Sequence, residues 1–170
     1  VTGIEELCVG KLCALLSRSL PRDLYDAVRL PRLAGEVWSA PGFRALLVGM
    51  AGSLDHPLHS YGRAQFLRTT DERIRQQLHP VLQRGDRPSA ELLREEAWRV
   101  VEPFLHLTPA EREYSDRIQS GELRPELLFP DDQETARRLA SHPALLWKAR
   151  NSREHAARAA RSRGEDLEQR

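Results

Sequence analysis

Apolar residues recur along most of the chain at intervals of three and four, the spacing of a helix that buries one face. Ile4, Leu7, Cys8, Leu12, Leu15 and Leu16 keep this period, and Thr2 with Glu5 supplies a capping box, so a first helix is expected to about Ser17. After a break at residues 19–21, the pattern predicts a second helix over 22–30, ended by Pro31 and Gly35. Pro41 opens a third through Phe43, Leu46, Leu47 and Met50, stopping near Gly52. Residues 55–70 lack a clear period and hold Pro57 and Gly62, which reads as a long loop. Asp71 caps a helix to about Arg84, and residues 85–88 form a turn. Ser89 caps a helix through Leu92, Leu93, Trp98, Val100 and Val101 that kinks or stops near Pro103.

A second capping box, Thr108-Pro109-Ala110-Glu111, starts a helix to about Ser120. Residues 121–129 read as a linker with a short helical turn. Asp131 with Glu134 starts a helix to about Ala140, His142-Pro143 breaks it, and a last helix runs from Pro143 to about Arg163. No segment alternates with the period of two that a half-buried strand needs. The pattern therefore predicts an all-α fold, with a single helical domain over 1–163 and a frayed polar tail over 164–170.

Composition narrows the class. The chain has 170 residues, 40% hydrophobic and 30% charged, which suits one globular domain or one large piece of a larger protein. It does not begin with Met, which reads as a fragment or a processed product. No apolar run approaches the roughly 20 residues that cross a bilayer, and no secretory leader opens the chain, so a cytoplasmic protein without membrane association is expected. The two cysteines, Cys8 and Cys13, fall on one predicted helix about 140° apart around its axis, which excludes a disulfide between them.

Charge is uneven. The net is +1, yet residues 91–134 carry 12 acidic against 5 basic residues (−7) and residues 137–163 carry 8 basic against 1 acidic (+7). The basic stretch reads either as half of an electrostatic helix pair or as a strip that faces phosphates. Of the 26 basic residues only Lys11 and Lys148 are lysines, and the two types are not interchangeable at ligand sites.

Lys11 shares its helical face with Ile4, Leu7, Cys8 and Leu15. A lysine on an apolar stripe snorkels, meets an anion or loses its charge. Asp23 and Asp26 open the next helix, where the helix dipole favours anions, and a tight turn lets Lys11 and Asp23 reach one cleft. An ammonium with one or two carboxylates suits a triphosphate and its metal. On the last helix Lys148, Asn151, Ser152 and His155 share a face, with Trp147 expected in the core. That polar stripe is either solvated or meets phosphates or bases. Asp55, His56 and His59 make only a poor metal set, and Gly52-Ser53 lacks the acidic pair that follows the Gly-Ser of polymerase-type nucleotidyltransferases.

Lys11-Leu12-Cys13-Ala14-Leu15, followed by Arg22-Asp23-Leu24-Tyr25-Asp26, resembles the "KLxAL…RDLYD" block of the AbiEii/AbiGii nucleotidyltransferase toxins. His142-Pro143-Ala144-Leu145-Leu146-Trp147-Lys148-Ala149-Arg150-Asn151 resembles that family's C-terminal "HPxLLWKxxN" signature, and both lysines fall inside these blocks. The resemblance implies a toxin of a bacterial toxin–antitoxin or phage-defence system. Such a protein has a polymerase-β-like core followed by a helical region. With Mg²⁺, it moves nucleotides from an NTP to RNA, notably the tRNA 3′ end. By the same resemblance Lys11 and Asp23 are the catalytic residues, Lys11 contacting the triphosphate. Asp26, Lys148, Arg150 and Asn151 are then nucleotide- or RNA-binding, and the partners are a cognate antitoxin, RNA and the N-terminal core. The Gly-Ser and carboxylate pair of that core are not in this sequence, so the chain is expected to be inactive alone. The other reading is a non-catalytic helical module that binds RNA or a protein partner.

Overall fold

The computed structural model describes residues 3–168, with side chains to Arg158. Among these residues eight α-helices carry the fold: α1 (Ile4–Arg18), α2 (Pro21–Ala34), α3 (Pro41–Ala51), α4 (Asp71–Gln77), α5 (Ala90–Leu105), α6 (Pro109–Gln119), α7 (Gln133–Ala140) and α8 (Pro143–Glu168). Short 3₁₀ turns fill the connections, and no strand occurs among the described residues, so the fold is all-α.

α1 packs against both α2 and α3, and α2 also packs against α5. α3 leads to α6, and α6 and α7 support α8. One apolar cluster runs through all of these, from Cys8, Leu12, Leu15 and Leu16 on α1 to Leu145 on α8. Trp38, Phe43 and Phe104 pack together at this core, with centroids 5.1–5.9 Å apart and Phe104 edge-on to the other two rings.

Several boundaries differ from the sequence expectation for identifiable reasons. The box expected at Thr2 lies outside the described residues; Gly3 precedes α1 and offers no side-chain cap. α2 passes through Pro31 to Ala34, because Leu30 and Ala34 are buried and their packing outweighs the hydrogen bond that Pro31 cannot donate. α5 likewise passes Pro103 to Leu105, holding Val101 and Phe104 in the core. Arg44 donates to the carbonyls of Pro103 and His106 (2.9 and 2.7 Å), satisfying acceptors at that helix end. α4 stops at Gln77 instead of Arg84, because Pro80 disfavours helical geometry at His79. Asp132, not Asp131, caps α7 through the Thr135 amide at 3.0 Å. α8 continues past Arg163 to Glu168, and 169–170 lie outside the described residues.

The 55–70 segment is anchored to the core. Leu58 and Phe66 are fully buried, and the Leu58 amide donates to Ser115 Oγ at 2.9 Å. The Thr108–Glu111 capping box forms as the sequence predicts, and Glu111 also takes a bidentate pair from Arg44 on α3 (2.7 and 2.9 Å). Burial works to raise the Glu111 pKa, but the Arg44 and Thr108 hydrogen bonds prevail and hold it below the usual carboxylate value.

Candidate functional site on the α1–α2 hairpin

The buried stripe of α1 is Cys8, Val9, Leu12, Leu15 and Leu16, while Ile4 and Leu7 are exposed. Lys11 therefore stands at the edge of the stripe and not within it. Its ammonium meets Asp26 Oδ2 on α2 at 2.6 Å, with the two side chains 43% and 36% exposed. Asp23 is engaged elsewhere. Its Oδ2 accepts from the Leu20 amide (3.1 Å) and Arg18 Nε (2.9 Å), and its Oδ1 accepts from Arg18 Nη2 (2.9 Å). The first bond ties down the start of α2, and the other two form a fork across the turn.

The four residues make two rungs on one antiparallel seam. Lys11 and Arg18 are seven apart, almost two full turns, so they share a face of α1; Asp23 and Asp26 are three apart and share a face of α2. The rungs stand roughly 10 Å apart along α1 but only about 4.5 Å apart along α2. The structure thus brings Lys11 to Asp26 and keeps Asp23 with Arg18. Asp23 also lines a groove of 560 Å³ with Arg18, Arg22 and Gln76.

On α8, Lys148 is half-buried and its Nζ donates to the Asp55 carbonyl at 3.2 Å. Desolvation lowers its pKa, against a partial opposing pull from the Asp55 carboxylate. Arg150 is exposed and pairs with Glu154 one turn on at 2.9 Å, while Asn151 is half-buried. Among the described residues, no hydrogen bond or ion pair joins Lys148, Arg150 or Asn151 to Lys11, Asp23 or Asp26. Trp147, expected in the core, is 66% exposed: Leu145 and Ala149 take the buried side of α8, and Trp147 lies about 160° from Ala149 around the axis.

The residues do not fit a metal centre. No group of three or more His, Cys, Asp or Glu side chains is poised to hold an ion among the described residues. Asp23 and Asp26 are already paired with cations, and His59 contacts Asp116 at 2.6 Å instead of joining His56. Gly52 is buried, and a Cβ built there would lie 2.8 Å from Ile118 Cδ1, so packing accounts for this glycine. Burial raises the Cys8 thiol pKa and pushes that of Cys13 up to about 12, so both stay protonated.

The sequence reading missed a groove of 620 Å³ between α1, α3 and α7. Val9, Met50 and Phe129 line it with Glu5, Asp132 and His142, whose buried Nδ1 has no hydrogen-bond partner. None of Lys11, Asp23, Asp26, Lys148, Arg150 and Asn151 lines this groove. Its walls come from three distant stretches, and only the His142-Pro143 break hinted at one of them. No helix among the described residues is long and apolar enough to cross a membrane. Comparison with protein-family models, with curated proteins and with solved structures finds no match to this chain.

Proposed function

We propose that the chain is the C-terminal helical part of a nucleotidyltransferase toxin from a bacterial toxin–antitoxin or phage-defence system. Joined to a polymerase-β-like core, it takes part in moving a nucleotide from an NTP to RNA, with the tRNA 3′ end as the favoured acceptor. The two sequence blocks motivate the reading. The observation that carries it is the Lys11–Asp26 pair, an ammonium and a carboxylate held 2.6 Å apart at a surface where a second domain has access.

In this reading Lys11 keeps Asp26 and adds a triphosphate oxygen through another of its three N–H donors, a charge-assisted contact of the same kind. Asp26 then orients the ammonium, and Arg18–Asp23 fixes the angle between the helices. Mg²⁺, held by the core, supplies the charge neutralisation that in-line phosphoryl transfer requires. An antitoxin is the expected partner that silences the joined enzyme.

The test is transfer of label from an NTP to tRNA by this chain joined to its core, compared with the same enzyme carrying Lys11→Ala. The coding frame upstream of Val1 should contain a Gly-Ser motif followed by an acidic pair. Undiminished transfer by the Lys11→Ala enzyme would sink the reading.

A second reading has its own observation. Both aspartates of the hairpin are already satisfied by cations of this chain. A purely structural seam is what a non-catalytic RNA- or protein-binding module would also show, and such a module binds without turnover.

A further inference from the structure

A tryptophan that is 66% exposed is costly to leave in water, and Trp147 has polar neighbours on its own face. Arg150 and Asn151 lie three and four residues further along α8, so they flank the ring on the outward side of the helix. Lys148 turns to one side, toward the Asp55 carbonyl. Leu146 turns to the other, into a groove of 520 Å³ that Arg124 and Arg153 also line. Over residues 143–158 the helix carries Lys148, Arg150, Arg153 and Arg158 against Glu154 alone, four positive charges less one negative, or +3.

An anion with flat apolar faces complements this surface. Unpaired nucleotides have that chemistry, because the phosphates answer the cations and the bases answer the indole. A duplex presents the phosphates but hides the faces. We infer that Trp147, with Arg150 and Asn151 beside it, is a stacking platform for an unpaired base of single-stranded RNA. The choice of RNA over DNA rests on the functional reading above; the stacking argument does not.

The experiment titrates the full chain with a fluorescein-labelled single-stranded oligoribonucleotide, read by anisotropy and by tryptophan emission. Binding is expected to quench emission and to weaken as salt rises. Trp147→Ala should weaken it roughly 5- to 100-fold, whereas Trp147→Phe, which keeps a ring, should retain most of it. The same sequence annealed to its complement should bind no better than single strands bind the Ala variant. The platform is overturned by equal affinity of the Ala variant and the unaltered chain, by equal affinity for duplex and single strand, or by no binding at all. Preference for the matching deoxyoligonucleotide overturns the assignment to RNA. Transfer is not read here, so transfer by the joined enzyme with no effect of Trp147 on RNA affinity removes the platform alone. Intact stacking without transfer removes the toxin reading alone.

Discussion

Lys11 donates to Asp26, not to Asp23, at 2.6 Å across the α1–α2 seam. Asp26 lies one helical turn deeper into α2 than Asp23, so the lysine meets the second carboxylate of the Arg-Asp-Leu-Tyr-Asp run. The stability at stake is small, because exposed ion pairs contribute about 0–1 kcal/mol. Lys11→Met should therefore leave urea unfolding of the chain almost unchanged while removing most nucleotidyl transfer from the joined enzyme. Intact transfer in that variant would mean that the lysine serves only the seam.

Asp23 should behave in the opposite way. It is 4% exposed and accepts three hydrogen bonds. Asp23→Ala strands the Leu20 amide and the Arg18 fork, at a cost of about 1–3 kcal/mol. Denaturant midpoints of Asp23→Ala and Asp26→Ala, compared side by side, should show the larger loss at Asp23. Equal midpoints with abolished transfer would assign Asp23 to chemistry instead.

Trp147→Ala should change stability by no more than about 0.5 kcal/mol, the usual range for surface substitutions. A buried ring would instead cost about 3–5 kcal/mol, so one unfolding curve separates the two cases.

The Arg44–Glu111 pair makes stability sensitive to acid. The folded pKa of Glu111 is lowered from 4.5. Its contribution is complete above that unfolded value and is lost as pH falls through the lowered folded value. Glu111→Gln should flatten the acid limb of the stability curve and leave its alkaline limb unchanged. An identical acid limb in the variant and the unaltered chain would show that the carboxylate contributes nothing.

Gly52→Ala tests whether the Gly-Ser pair is structural. The added methyl would lie 2.8 Å from Ile118 Cδ1, 3.0 Å from the Gly49 carbonyl and 3.1 Å from the Tyr114 hydroxyl. Tyr114 donates to that same carbonyl at 2.8 Å, so the methyl intrudes on a buried hydrogen bond. Overpacking of this kind typically costs about 1–3 kcal/mol, and thermal unfolding should report it.

Much of the fold was legible because its signals are local. Ser89 and the Thr108–Glu111 box cap the helices they announce, and Pro41 and Pro143 open theirs. The departures arose where tertiary packing overrode a local signal, as at Pro31 and Pro103. The candidate site was less legible. Helical spacing put Lys11 on a face but could not fix the rotation of α1 against α2, and that rotation decides which aspartate it meets. Trp147 misled for a related reason: a bulky apolar residue beside Leu145 and Leu146 reads as core, yet only Leu145 faces inward. The groove that His142 lines joins residues too far apart in sequence for any spacing argument to connect.

Gly121 closes α6 at φ +95, beneath the middle of α8, where a Cβ would come within 2.9 Å of the Ala149 carbonyl. A side chain here would have to lift α8 off its support. At about 1.5 Å per residue a 26-residue helix is a long arm, so a small tilt at this pivot grows into a wide swing at its far end. The course of α8 is thus set in part by a residue with no side chain, which lets the helix lie directly on the end of α6 at Ala149 and Arg153.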